Sequence, residues 1–167
     1  YAVRKNWPNA HITWAIHEQF ASLLPGTPWV DDVIIIDKKQ LKKPAYLWQL
    51  RKELHSRHFD MTLDLQCIAK SAIVSLLSGA PDKYGYWELR EGSNLVNKAL
   101  VGEHKYDHVI ERYLDTVRAL GGEVDSIEFP MPAYVDAEKS VKEKLACHGV
   151  DEDYIVVVPG ARWIVKE

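Results

Sequence analysis

The sequence predicts an α/β fold built on an open parallel sheet. Segments of strand character alternate with helical segments along the chain, and the run Asp32–Asp37 is continuously apolar between its acidic ends. A strand that is apolar on both sides is typical of a parallel sheet covered by helices on both faces. The alternation in turn favours right-handed crossovers between parallel strands.

The first part of the chain predicts a helix end, a strand and a short helix ahead of Asp32–Asp37. Tyr1–Pro8 has the character of the end of an amphipathic helix, closed by an asparagine and a proline. His11–His17 is β-branched and aromatic, which predicts a strand with Trp14 in the core. Glu18–Leu24 has helical spacing and ends at a Pro-Gly pair.

The middle of the chain repeats the alternation. Tyr46–Arg57 carries three leucines at helical spacing and predicts a helix, and Asp60–Leu65 predicts the next strand. Ile68–Leu77 then predicts a helix that stops at a Ser-Gly pair, and Lys83–Tyr86 predicts a short strand.

The last part begins with a long polar stretch, Trp87–Tyr106, for which we predict no regular structure. Asp107–Leu120 is strongly periodic and predicts a helix ended by two glycines. A charged helix is predicted from about Asp136 to Cys147, followed by a strand over Tyr154–Val158.

Two prolines, Pro130 and Pro132, suggest a boundary between domains. We therefore predict a first domain over residues 1–130 and a linker with the start of a second domain over residues 131–167. The chain ends shortly after a predicted strand and does not begin with methionine, so we expect a fragment of a longer protein.

Composition excludes several function classes. The 167 residues carry 21 basic and 24 acidic side chains, a net charge of -3. No global basic field is therefore available for nucleic-acid binding, and any anion site must be local. No apolar run approaches the length of about 18 residues that a membrane-spanning helix needs.

The histidines and cysteines predict no metal site. The seven histidines lack the spacing of a catalytic metal centre. Cys67 and Cys147 lack the spacing of a zinc site and the density of a disulfide scaffold, so we expect inert, buried or half-buried thiols in a reducing cytosol.

Candidate ligand-binding residues follow the predicted strands, because doubly wound sheets bind ligands at the carboxyl ends of their strands. Four ammonium groups on the loop after the second strand suit a phosphorylated or carboxylated partner, although a solvated surface loop fits the same pattern. These residues are Lys38, Lys39, Lys42 and Lys43.

A second candidate group follows the strand Asp60–Leu65. The two-residue period of a strand places Asp64 and Gln66 on one side, and Lys70 opens the next helix, whose first N–H groups favour anions. A simple helix-capping arrangement is the alternative.

Two further segments are candidates. The stretch Trp87–Tyr106, with Arg90 and His104, has the length and polarity of a binding loop, although a loose insertion is also consistent with it. The turn at Pro159 and Gly160, with Arg162 and Lys166 after it, could approach a phosphate, but a purely structural turn fits as well.

These segments together resemble glycosyltransferase family 9, the ADP-heptose:lipopolysaccharide heptosyltransferases. The most diagnostic blocks are FDMTLDLQCIAKSA at residues 59–72 and PGARWIVK at residues 159–166. The resemblance runs almost end to end. It also includes the stretches WPNAHITWAIHEQFASLL, PWVDDVIIID, YGYWELRE and HKYDHVIERYLDTVRALG.

The resemblance implies a GT-B fold, with a Rossmann-like acceptor-binding domain followed by a domain for the nucleotide sugar. It implies an inverting enzyme that transfers heptose from ADP-heptose to the Kdo or heptose of the lipopolysaccharide inner core, with no metal or cofactor. We therefore expect a cytoplasmic protein that contacts the inner membrane peripherally through its lipid A-borne acceptor.

The resemblance also implies roles for individual residues. On the acceptor side it places the four loop lysines together with Asp64, Gln66, Lys70 and Arg90. On the donor side it places Gly160, Arg162 and Lys166 at the phosphates of the nucleotide sugar.

The sequence departs from the family pattern in two ways. Cys67 stands where the family has glycine. The strand and turn that carry the family's catalytic aspartate, the general base, are expected to precede residue 1, so no catalytic residue is assigned and we expect the fragment to be inactive. A non-catalytic domain that binds polyanions such as lipopolysaccharide, or another GT-B enzyme such as a nucleotide-sugar epimerase, stays open as an alternative.

Overall fold

Five parallel strands form the centre of the fold. The computed structural model describes residues 1–22, 24, 28–130, 134–150 and 153–157. The strands are β1 (Thr13–His17), β2 (Asp32–Ile36), β3 (Met61–Asp64), β4 (Asp82–Tyr86) and β5 (Lys98–Leu100).

The strands pair in two ladders and not in the single sheet that the sequence predicted. β1 pairs with β2, and β3, β4 and β5 pair in that order, with every pairing parallel. Among the described residues, no ladder joins β1 or β2 to β3. The alternation of helices with parallel strands is therefore as predicted, but the strands do not form one continuous sheet.

Six α-helices occur among the described residues. They are α1 (Ala2–Asn6), α2 (Glu18–Ala21), α3 (Pro44–His55), α4 (Ala69–Ser78), α5 (Val109–Ala119) and α6 (Val135–Cys147). Pro44 begins α3, where a missing N–H costs nothing. Gly79 ends α4 with φ 74°, a left-handed conformation that favours glycine.

Two elements differ from the sequence prediction. β5 lies inside the stretch for which no regular structure was predicted, because three residues that include Lys98 and Ala99 give no recognisable strand pattern. Conversely, the described part of Tyr154–Val158, residues 154–157, forms no strand. Strand formation needs a paired neighbour, and no described strand pairs with this segment.

One face of β2 builds the main core. Ile34 and Ile36 pack with Leu50 and Leu54 of α3 and with Leu41 from the loop between these two elements. Ile34 is only 2% exposed, so this face is well covered.

The other face of the β1–β2 ladder is not covered as predicted. Trp14, expected in the core, is 44% exposed, and Ile35 is 54% exposed. Trp14 is in register with Val33, which is also exposed, so these side chains share a face. That face is therefore open at Trp14, Val33 and Ile35.

The chain divides into two compact units, residues 1–132 and 133–167. All five strands belong to the first unit, and α6 belongs to the second. The assignment of residues 1–130 to acceptor binding and of residues 131–167 to a donor domain stays a prediction. No described helix is long and apolar enough to span a bilayer.

Candidate functional site

The Asp64 carboxylate organises the loop between β3 and α4. Asp64 is 7% exposed. Its Oδ1 accepts hydrogen bonds from the backbone N–H groups of Gln66 and Cys67, both at 2.9 Å. Its Oδ2 accepts from Ser71 Oγ at 2.8 Å and from Asn97 Nδ2 at 3.0 Å. Protein donors therefore take up both oxygens, and Asp64 holds the loop from within.

Cys67 lies at the turn that Asp64 stabilises. Its φ is 52°, in the left-handed region that favours glycine, which explains the glycine at this position in the family pattern. The thiol is fully buried and donates to the Asp64 carbonyl at 2.9 Å. Burial, with the Asp64 charge second, raises the pKa of Cys67 to about 12. Cys67 is therefore buried as predicted, whereas the prediction was wrong for Cys147, which is exposed on the charged helix α6.

The loop after β4 is bound to the loop after β3. Arg90 donates its backbone N–H to the Cys67 carbonyl at 2.9 Å, and Ser93 Oγ donates to the same carbonyl at 3.0 Å. The side chains of Gln66, Lys70 and Arg90 are exposed. The structure thus brings these three predicted residues to the carboxyl ends of two neighbouring strands, while Asp64 faces inward.

The lysine loop, residues 38–43, is a structured turn after β2. Asp37 accepts from the Lys39 N–H at 2.9 Å and from Gln40 Nε2 at 2.7 Å, and these bonds hold its pKa below the usual value. Leu41 is buried, and the Tyr46 hydroxyl accepts from the Asp37 N–H at 3.0 Å. The backbone of the loop is therefore fixed by its own residues.

The four lysines of this loop are exposed: Lys38, Lys39, Lys42 and Lys43. None of them forms an ion pair within the part of the chain that the structure describes. Four unbalanced cations on a fixed turn can bind a multivalent anion without first breaking internal ion pairs. They follow a strand of the β1–β2 ladder, whereas Lys70 and Arg90 belong to the other ladder.

The segment after β5 is held by a buried carboxylate on α5. Asp115 Oδ2 accepts from the His104 backbone N–H at 2.8 Å, and its Oδ1 lies 2.8 Å from His104 Nδ1 and 2.9 Å from Arg118 Nη1. Burial opposes ionisation of Asp115, but the hydrogen bonds from His104 and Arg118 outweigh it and lower its pKa. The hydrogen bond to Asp115 in turn raises the pKa of His104.

Gly102 lets this segment approach the helix. A Cβ at position 102 would lie 2.2 Å from Asp115 Cγ, so no larger residue fits without displacement. His104, singled out from the sequence, is therefore an anchor of its segment to α5.

An aromatic pair lies next to this anchor. Trp87, the first residue after β4, and Tyr106 have ring centroids 6.1 Å apart. Lys105 Nζ lies 4.7 Å from the centroid of Trp87 and 5.3 Å from that of Tyr106. A cation therefore lies against two aromatic rings at the carboxyl ends of β4 and β5.

Sequence reasoning missed the residues that act through tertiary contacts. Asn97, Asp115 and Arg118 belong to no recognisable sequence motif. Asp115 gave one signal, because a carboxylate on a strongly periodic helix needs a polar partner if it is buried. Lys105 and Tyr106 lay in a stretch predicted to be irregular. The predicted donor residues Gly160, Arg162 and Lys166 lie outside the described residues, so their predicted role stays a prediction.

No group of three or more metal-ligating side chains occurs among the described residues. This finding concerns those residues alone.

Comparison with known proteins decides the family. The model of glycosyltransferase family 9 (heptosyltransferase) matches residues 47–167, well over half of the chain. The chain belongs to glycosyltransferase family 9. This confirms the family that the blocks at residues 59–72 and 159–166 indicated.

The relatives of this chain are distant in sequence. The lipopolysaccharide heptosyltransferase 3 of Escherichia coli K12 is 23% identical over 98% of this chain and 49% of its own length. The crystal structure of a family 9 glycosyltransferase from Veillonella parvula DSM 2008 aligns with a TM-score of 0.76 at 20% identity, over 99% of this chain and 51% of that one.

A third similar protein is the E. coli ADP-heptose lps heptosyltransferase II. Its structure aligns with a TM-score of 0.60 at 22% identity, over 91% of this chain and 45% of that one. The α/β fold with a Rossmann-like parallel sheet, as in GT-B glycosyltransferases, is thereby confirmed. The chain spans about half the length of these relatives.

Proposed function

We propose that the protein carrying this chain is an inverting glycosyltransferase that moves heptose from ADP-heptose to the Kdo or heptose inner core of lipopolysaccharide. Family membership supports glycosyl transfer. The names of the E. coli relatives support lipopolysaccharide as the acceptor and ADP-heptose as the donor.

The single observation that carries the acceptor side is the lysine loop. Its turn is fixed by Asp37, Leu41 and Tyr46, and its four ammonium groups have no acidic partner in the described part of the chain. An inner-core acceptor bears carboxylate and phosphate groups. These anions are the complement of four fixed, unpaired cations.

In this proposal, the exposed polar side chains after β3 and β4 extend the acceptor site. Gln66 hydrogen-bonds acceptor hydroxyls, and Lys70 and Arg90 bind its anionic groups. Asp64 positions Gln66 through its backbone N–H and does not contact substrate, because its oxygens already accept four hydrogen bonds.

Glycosyl transfer requires a base that accepts the proton of the attacking hydroxyl and a group that stabilises the leaving ADP. The acceptor oxygen forms the new bond to the anomeric carbon as the bond from that carbon to the ADP phosphate oxygen breaks, with inversion. A base takes the hydroxyl proton. We assign that base to no residue of this chain. Gly160, Arg162 and Lys166 are proposed to stabilise the negative charge on the departing ADP.

The proposed acceptor also indicates where in the cell the protein acts. A lipid-borne oligosaccharide at the cytoplasmic leaflet brings the enzyme to the inner membrane peripherally, and exposed lysines favour such an anionic surface.

Transfer can be measured with the product of the complete reading frame that contains these 167 residues. Labelled heptose should pass from ADP-heptose to Kdo2-lipid A or to its heptosylated form. Lys166→Ala should lower kcat by about a hundredfold, as the loss of one preorganised charge does. Lys144→Ala removes an exposed lysine of α6 and should change kcat by less than about twofold.

Absence of transfer to either acceptor would overturn the proposal. Salt-sensitive lipopolysaccharide binding without transfer would instead indicate a polyanion-binding domain. Isomerisation of the free nucleotide sugar would indicate an epimerase.

A further inference from the structure

We propose that Trp87, Lys105 and Tyr106 form a subsite for a carboxylate-bearing pyranose. This platform rests on the proposed function and refines its acceptor side. It combines two aromatic rings with one ammonium group at the carboxyl ends of β4 and β5.

The position of the platform is the first argument. Trp87 directly follows β4, and Lys105 and Tyr106 follow the adjacent β5. The same edge of this ladder presents Gln66, which follows β3. A ligand held at this edge can therefore touch residues from all three strands.

The absence of an ion pair at Lys105 is the second argument. Lys105 is half-buried against the rings of Trp87 and Tyr106, and no carboxylate pairs with it within the described residues. A partly desolvated cation on aromatic rings binds an added anion without losing an existing ion pair. The nearest comparable arrangement, Lys52 against the exposed Trp48, lies on α3 and not at a strand end.

The chemistry of the rings selects the class of ligand. Tyr106 is 83% exposed and inclined at 62° to Trp87, so the two rings offer apolar surface in two directions. The C–H face of a pyranose packs on such surface while its carboxylate meets the ammonium group. The Trp87 Nε1–H is shielded from solvent and has no acceptor among the described residues.

The platform is also preorganised. His104, the residue before Lys105, is bound to Asp115 through both its backbone N–H and its ring. Gly102 packs against the Asp115 side chain as well, so the same carboxylate holds the segment at two points. Little conformational entropy is therefore left to lose when a ligand binds.

Protein-observed NMR on this 167-residue chain tests the proposal directly. The indole Nε1–H signal of Trp87, assigned by Trp87→Phe, is followed during titration with D-glucuronate and with D-glucose, which share a ring and differ in the carboxylate. Glucuronate should shift the signal and bind about fivefold more tightly than glucose, the effect of one partly exposed charge pair.

Variants separate charge from stacking. Lys105→Gln should abolish the preference for glucuronate, and Tyr106→Ala should weaken the binding of both sugars. Lys52→Gln is the matched control and should leave both affinities unchanged. Unchanged signals of the other tryptophan indoles would show that each variant is folded.

Several results would overturn the proposal. One is that glucuronate causes no shift, or binds no more tightly than glucose. Another is that Lys105→Gln keeps the preference for glucuronate. A third is that inorganic phosphate shifts the signal as much as glucuronate does, or that AMP binds more tightly than glucuronate. Because neither donor nor transfer is involved, failure here leaves the proposed transferase activity standing. If the complete protein transfers no heptose but this chain still prefers glucuronate, the subsite proposal remains supported.

Discussion

At the scale of single residues, buried carboxylates position the loops that carry the candidate site. Asp64 holds the loop after β3, and Asp115 holds the segment after β5. Neither is free to bind a ligand, since protein donors use their oxygens. The side chains next to them, the exposed Gln66 and the half-buried Lys105, are the ones that we propose to contact substrate.

The pair of His104 and Asp115 makes a prediction about pH. The hydrogen bond to Asp115 raises the pKa of His104, burial and the Arg118 charge oppose the rise, and Glu111 assists it. The contribution of His104 to stability is therefore complete below its unfolded pKa of about 6.5 and is lost as the pH rises through the higher folded value.

NMR titration of the His104 ring should give a pKa above that of a free histidine. Asp115→Asn should return it to the ordinary range or below, because Arg118 then remains as the nearest charge. Asp107→Asn, an exposed carboxylate of the same segment, is the control and should leave it unchanged. An unshifted His104 in the unmodified chain would contradict the account.

At the scale of elements, the two faces of β2 differ in burial. Ile34 lies in the core with Leu50 and Leu54, whereas Ile35 is more than half exposed. The alternation contradicts the expectation that both faces are covered. It predicts that the same substitution lowers the free energy of unfolding by different amounts at positions 34 and 35.

Ile34→Ala should lower the free energy of unfolding by about 2–5 kcal/mol, because it leaves a cavity in the core. Ile35→Ala, its matched control on the exposed face, should cost about 1 kcal/mol or less. Urea unfolding of the chain measures both. Equal losses would show that the second face is covered after all.

Most elements could be predicted from sequence because their patterns are local. α3, α4 and α5 follow from apolar periodicity and from terminal proline or glycine. β5 could not be predicted, since its three residues acquire strand conformation by pairing with β4. The failure at residues 154–157 has the converse cause, since a strand-like sequence without a paired neighbour forms no ladder.

The two sheets match parts of the strand order 3-2-1-4-5-6 of doubly wound folds. β2 and β1 correspond to strands 3 and 2 of that order, and β3, β4 and β5 correspond to strands 4, 5 and 6. No strand of the described residues takes the remaining place between β1 and β3.

The candidate site was predictable in part for the same reason. Lys38, Lys70 and Arg90 could be selected because they follow recognisable strands. The inward role of Asp64 rests on three donors within seven residues, a local arrangement of the capping kind that the sequence left open, and on Asn97, which is 33 residues away and which no local pattern reports.

At the scale of the whole molecule, the first unit places cations at the carboxyl ends of its parallel strands. The lysine loop follows β2, Lys70 follows β3, Arg90 follows β4 and Lys105 follows β5. The net charge of -3 does not reveal this arrangement, because acidic side chains accompany the cations: Glu88 and Glu91 follow β4, and Glu103 and Asp107 follow β5. The central claim is that this edge binds the anionic acceptor.

The most direct test is a comparison of the acceptor and donor KM values for heptose transfer by the complete protein. Lys38→Ser/Lys39→Ser removes two loop cations, and Lys52→Ser/Lys98→Ser removes two exposed cations away from that edge. The account predicts that the loop variant raises the acceptor KM by about tenfold, leaves the donor KM within about twofold, and that the control changes neither. An unchanged acceptor KM in the loop variant, or a rise confined to the donor KM, would contradict it.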